Sequence, residues 1–348
     1  MNYNIIKKIL SRLFLILFSL VLVIFVAETI FRIFEIKYPN PKTGTWREAV
    51  QEESFPGVRY QFDPNSEFHV SYDGNPDGYF DENNRLHYKL NNYGFRGDDY
   101  RMEKQPGTYR IIVLGDSFTF GDGVKDEDTF CLQLQKELRK LNPKVEVLNF
   151  GTSGWNTVDQ ISYFDQMGYR FNPDLVVVAY VLNDGSHELW PVDAWDDEYE
   201  KAFQERILPG SYFLSYLHTT WTRYQFSRRY IQEVAQSLDT HKREWRRSLR
   251  YLLRGKNITT KLGIDYSVIL IPYLYRLNDN YPFESLHQFI GEYCRENNIS
   301  FLDLFESFRG YNYTDLWAHP TDQHPNAKGH RIIAEALTRS IREKVYLD

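Results

Sequence analysis

Two cysteines in 348 residues, Cys131 and Cys294, are too few for a disulfide framework and show no metal-ligand spacing. A single bridge between them stays open. Both fall in helical patterns, where buried free thiols are the default. Positive charge is also not in excess: 41 Lys and Arg against 47 Asp and Glu leave a net charge of -6. That balance excludes nucleic acid as the main partner, because no basic stripe covers the chain. The clusters Arg228, Arg229 and Lys242, Arg243, Arg246, Arg247 are local and read as a solvated helix face. There is no glycine-rich phosphate cradle and no metal-type cluster, so no cofactor is expected. Internal repeats are absent as well. Aromatics, by contrast, are plentiful at 16%, with 26 Tyr. Either a compositional habit or a functional aromatic surface would explain them.

Long apolar runs are confined to the N-terminus. Leu13 to Ala27 is apolar except for Ser19, extended upstream by Ile9 and Leu10 and preceded by Lys7, Lys8 and Arg12. Thr29 to Phe34 completes roughly the 20 residues a bilayer-spanning helix needs. A cleaved secretory signal is the alternative, but the stretch is long for one, and Phe25-Val26-Ala27 is a poor small-residue cleavage site. Basic residues flank both sides, Arg32, Lys37, Lys42 and Arg47 following the span, so their count leaves orientation open. The short N-terminal flank ahead of a large domain favours an N-inside anchor with the domain exported. Residues 1–37 are therefore read as a single-pass anchor in the inner (plasma) membrane, with an extracytoplasmic, periplasmic domain.

Residues 38–108 contain no long periodic segment. The alternation in Phe68–Tyr72 and Leu86–Leu90 suits short strands in a stalk and small β-rich lead-in, ending in Asn92-Tyr93-Gly94-Phe95-Arg96-Gly97. From Tyr109 strand and helix patterns alternate. Apolar runs at Ile111–Leu114, Val145–Leu148, Leu175–Tyr180, Val268–Ile271 and Phe301–Leu304 read as buried parallel strands. Asp126, Glu127 and Asp128 supply negative charge for a helix N-terminus, followed by Phe130, Leu134, Leu138 and Leu141 on one face. A final helix carries Ile332, Ile333, Ala336, Leu337 and Ile341. The pattern implies an α/β chain, a three-layer α/β/α sandwich over 109–348, with a mostly helical insertion at 186–260.

Four strand ends carry polar motifs. Ile111-Ile112-Val113-Leu114 runs into Gly115-Asp116-Ser117, placing Ser117 at the C-terminal edge, where open α/β sheets bind ligands. Such a serine alone also occurs in ordinary turns. A nucleophilic serine needs a base, and the base needs an orienting carboxylate. Asp322-Gln323-His324-Pro325-Asn326, in a loop before the last helix, returns to the same edge. Without the serine motif, His324 would read as a packed or solvated imidazole. Acyl transfer also needs donors for the oxyanion. The backbone N–H of Gly154 and the side-chain amide of Asn183 follow the second and third strands and could supply them.

In these four blocks residues 109–345 resemble the SGNH (GDSL) hydrolase superfamily. Gly115-Asp116-Ser117 matches the nucleophile block, Gly154 the glycine block, Asn183-Asp184 the asparagine block, and Asp322 with His324 the last block. The resemblance implies a flavodoxin-like fold with a five-stranded, mainly parallel sheet. It also implies Ser117 as nucleophile, His324 as base and Asp322 as its orienting acid. The Ser117 and Gly154 N–H groups and the Asn183 amide would form the oxyanion hole. Two positions depart from the pattern. Val181 stands where the family commonly has glycine, and Thr321 stands where it commonly has its acid. The Asp-x-His spacing of Asp322 and His324 resembles instead the polysaccharide O-acetyltransferase relatives, such as those acting on alginate, with Asp315 as the fallback acid. His319 is a weaker alternative base, and His187 lies near Asn183 in sequence.

The expected activity is serine-mediated acyl transfer on O-acetyl esters of a cell-envelope polysaccharide, with Trp155, Trp190, Trp195 and Trp317 as possible sugar-stacking faces. Envelope assembly partners would fit that address. Two other readings stay open: a lipid esterase with Leu214, Leu217 and Trp221 forming an apolar lid stripe, and a catalytically silent envelope scaffold.

Overall fold

A computed structural model describes residues 3–37, 42–186, 210–240 and 242–345. The chain forms two compact units, Met1–Asn40 with Asp193–Tyr230, and Pro41–Val192 with Ile231–Asp348.

The first unit contains α1 (Tyr3–Ile33), of which Ile5–Ile33 is long and apolar enough, by length and composition, to cross a membrane. Near its end the Glu28 carboxylate accepts from Ser211 Oγ and from the backbone N–H groups of Tyr212 and Phe213. Those N–H groups open the helix that begins at Tyr212 and have no intrahelical acceptor, so a carboxylate there satisfies both hydrogen bonding and the helix dipole. The Phe31 ring meets Phe213 and Tyr216 edge-on at 5.2 and 5.4 Å.

The second unit starts with five short strands: β1 (Thr43–Gly44), β2 (Val50–Phe55), β3 (Val58–Phe62), β4 (Glu67–Ser71) and β5 (Arg85–Lys89). They form an antiparallel sheet in the order β1-β4-β5 and a β2-β3 hairpin. Period-two alternation turns Phe68, Val70, Leu86 and Tyr88 inward. Their core also takes in Phe120, whose ring lies 5.3 Å from Phe62 and 5.5 Å from Tyr88.

Phe120 belongs to the α/β part. There β6 (Tyr109–Gly115) leads into the short α2 (Ser117–Phe120), then α3 (Phe130–Arg139) and β7 (Val145–Gly151). Next come α4 (Thr157–Gln166), β8 (Leu175–Tyr180), α5 (Asn183–Ser186), α6 (Tyr212–Thr240, through Tyr230 part of the first unit), α7 (Lys242–Leu262) and β9 (Asp265–Leu270). The chain continues through α8 (Glu284–Glu296), β10 (Ser300–Asp303), α9 (Phe305–Phe308), β11 (Trp317–His319), β12 (Asp322–Pro325) and α10 (Ala327–Val345). Five parallel strands stand in the order β10-β9-β8-β6-β7, matching the five apolar runs of the sequence. All seven residues of β6 are buried, which is why that strand reads as a continuous apolar run rather than an alternation. Each buried aliphatic side chain there contributes roughly 1.5–3 kcal/mol. Helices α3 and α10 pack together, as do α4 and α7.

Two local expectations are corrected. The acidic triplet Asp126–Asp128 forms a separate 3-10 turn, and α3 begins at Phe130 with the Thr129 hydroxyl accepting from Leu132 N–H. Thr129 wins because a side-chain acceptor at the N-cap satisfies an orphan donor directly. His324 lies in β12, paired with β11, rather than in a loop. The insertion expected at 186–260 contains α6 and α7; residues 187–209 and 241 lie outside the described ones.

Candidate active site

The sheet order places β7 on one side of β6 and β8 on the other. Successive strands therefore leave β6 in opposite directions, which opens a crevice beyond its C-terminal end. Gly115 closes β6. A Cβ there would stand 2.0 Å from Thr119 Oγ1, so the tight turn into α2 requires glycine. Asp116 caps α2, its Oδ1 accepting from Phe118 N–H at 2.9 Å. Ser117 is thus the first residue of a helix emerging at the crevice.

Residues far apart in sequence meet at Ser117. Its Oγ lies 2.8 Å from His324 Nε2, and His324 Nδ1 lies 2.5 Å from Asp322 Oδ1. The Phe118 ring stands edge-on to the imidazole at 5.4 Å. Burial works against an imidazolium at His324, but the charge of Asp322 outweighs it and holds the pKa above 6.5. Asp322 is itself buried, which favours its neutral form. The charges of Lys42 and His324 prevail and hold it well below the usual carboxylate range.

Two of the expected oxyanion donors are backbone groups left without an internal acceptor. The N–H groups of Ser117 and Gly154 have no acceptor within the chain among the described residues. Gly154 has φ +80°, and a Cβ on it would stand 2.2 Å from the Tyr60 hydroxyl. Backbone conformation and crowding therefore both require glycine there. The Asn183 amide donates one N–H to Asp116 Oδ2 at 2.7 Å, leaving a second N–H on the same nitrogen. Behind it, Asp184 accepts from the Gln160 amide and from Val181 N–H. Burial raises the Asp184 carboxyl well above its ordinary value and pushes Asp116 up to about 6.

Several neighbours of this site carried no sequence signal. Arg96, fully buried, donates to the carbonyls of Phe120 and Gly121 and pairs with Asp126, clasping the loop after α2. In that loop Asp122 accepts from Ser153 Oγ at 2.9 Å, and its Oδ2 lies 3.9 Å from His324 Nε2. From the β2-β3 hairpin, Arg59 pairs with Asp159 and donates to Gly154 O, while the Tyr60 hydroxyl donates to Ser153 O. Lys42 and Tyr72 both reach Asp322.

The alternatives make other contacts, although His319 is the strand partner of Asp322. Asp315 accepts from the Asn312 amide, and His319 Nδ1 pairs with Thr321 Oγ1. Trp155 is corrected as a sugar-stacking face: it is fully buried, its indole N–H donating to Tyr60 O. The chain tucks it inward because the hairpin covers the glycine block. Trp317 is half-buried against Tyr313, while His187, Trp190 and Trp195 lie outside the described residues. Among the described residues no group of three His, Cys, Asp or Glu side chains is placed to hold a metal.

Residues 113–332, well over half the chain, match the model of the GDSL-like lipase/acylhydrolase family. The chain belongs to that family. Three solved structures show a similar chain path. They are an acetylxylan esterase from Geobacillus stearothermophilus (15% identity, 71% of this chain and 98% of that one, TM-score 0.41), and a psychrotrophic esterase from a Pseudoalteromonas species (13%, 68% and 99%, 0.42). The third is another acetyl xylan esterase (17%, 67% and 99%, 0.42). No curated protein sequence matches the chain. As a GDSL-like acylhydrolase the chain is a serine ester hydrolase.

Proposed function

We propose that this GDSL-like acylhydrolase removes or transfers O-acetyl groups on a cell-envelope polysaccharide, using Ser117, His324 and Asp322. The observation that carries the reading is the unbroken chain from Ser117 Oγ to His324 at 2.8 Å and from His324 to Asp322 at 2.5 Å. Ser117 Oγ attacks the ester carbonyl as His324 Nε2 takes its proton, and the Ser117 and Gly154 N–H groups and the Asn183 amide receive the oxyanion. Collapse breaks the bond to the sugar oxygen, which takes the proton from His324 and departs as the hydroxyl, leaving an acetyl-serine. Water, or a second sugar hydroxyl, then resolves the acetyl-enzyme through the same base.

The choice of substrate rests on two supports. An apolar helix of spanning length precedes the domain, consistent with an inner-membrane anchor that holds the domain on the extracytoplasmic side, where it meets envelope glycans. Beside the His324 imidazole stands Asp122, and bonded to it Ser153, polar groups suited to a hydroxylated carrier with a short acyl group. A lipid esterase is the second reading. The exposed Leu217 and Trp221 on α6 favour it, since such a stripe can meet acyl chains. Acetate release from an O-acetylated chito-oligosaccharide, compared with hydrolysis of p-nitrophenyl palmitate and of a phospholipid, tests the choice. Turnover of the acetylated sugar with little on the long acyl esters is expected; the opposite preference would replace the polysaccharide reading with the lipid one.

A further inference from the structure

We infer that Lys42 and Tyr72, which lie outside the segment shared with the family, are positioning residues for the base: they hold Asp322 from behind and keep His324 neutral at rest. The inference rests on the Ser117-His324-Asp322 reading.

Both residues come from one strand edge. Thr43 pairs with Ser71 across β1 and β4, and continuing this antiparallel register by one residue sets Lys42 opposite Tyr72. From there Lys42 Nζ reaches Asp322 Oδ2 at 2.8 Å, and the Tyr72 hydroxyl donates to the same oxygen at 2.9 Å. Stacking on Phe80 at 4.2 Å pins the Tyr72 ring. The carboxylate is therefore divided: Oδ1 serves the His324 ring and backbone N–H, and Oδ2 serves the N-terminal sheet. Its side chain is only 3% exposed, so water cannot replace these donors without rearrangement. Lone ionised carboxylates in such surroundings are costly, which makes the two partners structurally necessary as well as directional.

Lys42 also balances charge. Its Nζ is 3.8 Å from Asp122 Oδ2, whose other neighbour is His324 Nε2 at 3.9 Å. Facing the imidazole are thus Asp322 from its own strand, Asp122 from the loop after α2, Ser117 from α2, and Lys42 behind both carboxylates. Tyr88 lies beside Lys42 and Tyr72, His319 beside Tyr72, and Asp116 and His330 are the next titratable groups. With Lys42 present, the two carboxylates, the ammonium and a neutral imidazole sum to one negative charge, and proton uptake neutralises the cluster. Without it they sum to two. The base would then sit protonated at a pH where it must be free.

Wild-type, Lys42→Met, Lys42→Arg and Tyr72→Phe full-length chains in detergent provide the test. Two readouts follow the same titration. One is the acid limb of kcat/KM for p-nitrophenyl acetate. The other is the pH dependence of diethylpyrocarbonate modification at His324, located by mass spectrometry, which needs no turnover. In Lys42→Met the His324 titration should move up by about one pH unit, in Tyr72→Phe less and in the same direction, and in Lys42→Arg hardly at all. A Lys42→Met titration within about 0.2 of wild type would overturn the inference, as would an equal shift in Lys42→Arg. Loss of stability alone would move neither readout. A wild type that fails to turn over ester, with the shift still present in the modification profile, would remove the esterase reading and leave this one standing.

Discussion

Gly154→Ala tests whether the Gly154 N–H is held where an oxyanion would form. The added methyl meets two costs. At φ +80° an alanine is strained by about 1–2 kcal/mol. Its Cβ would also stand 2.2 Å from the Tyr60 hydroxyl oxygen, so one of the two must retreat by about 1 Å to reach ordinary contact. Tyr60 is tied down by its donation to Ser153 O, so the displacement falls on the 153–154 turn itself. A donor moved by that much is lost to the transition state, which costs roughly 10²–10³ in kcat, or about 3–4 kcal/mol. Tyr60→Phe removes the offending oxygen and leaves Tyr60 Cζ, 3.5 Å from the new methyl, as the nearest atom. That variant alone should lose only about 1 kcal/mol, the worth of one hydrogen bond. The double variant should therefore recover most of the activity that Gly154→Ala loses. Steady-state kinetics with p-nitrophenyl acetate on the four chains form a double-mutant cycle, with thermal unfolding to separate strain from catalysis. Strictly additive losses, or a Gly154→Ala chain with unchanged kcat, would refute the reasoning.

Other consequences follow from the same geometry. Because Asp322 raises the pKa of His324, and the base acts only when neutral, kcat/KM should fall as pH drops through a value above 6.5; a limb below 6 would contradict that assignment. Arg96→Met should destabilise the second unit by roughly 2–4 kcal/mol in urea unfolding, since the carbonyls of Phe120 and Gly121 and the Asp126 carboxylate lose their partner together. Cys131 and Cys294 are buried free thiols, their pKa values raised by burial, so Ellman's reagent should find no reactive thiol in the native chain and both after denaturation.

What could be read from sequence depended on the range of the contact. The strands were legible because burial on both faces leaves a continuous apolar run, as in Ile111–Leu114. Ser117, Gly154, Asn183 and His324 stood out because each ends or follows a strand in the order of a known family. The lead-in was not legible in the same way. Lys42 meets Asp322 across 280 residues, and a lone lysine after a long apolar helix reads as a flanking charge. Trp155 misled for a related reason. Its sequence says aromatic beside a glycine, and only the arrival of the β2-β3 hairpin at Tyr60 decides that the ring is buried. Even the α3 cap went to Thr129 rather than to the more conspicuous acidic triplet, because hydrogen-bond geometry outranks charge at a helix start.

Fluorophosphonate labelling of the full-length chain, with the modified peptide identified by mass spectrometry, tests the central claim most directly. The probe should mark Ser117 alone, and labelling should vanish in Ser117→Ala and fall at least about a hundredfold in rate in His324→Ala. A folded wild-type chain that does not label, or labelling that survives in Ser117→Ala, would contradict the account.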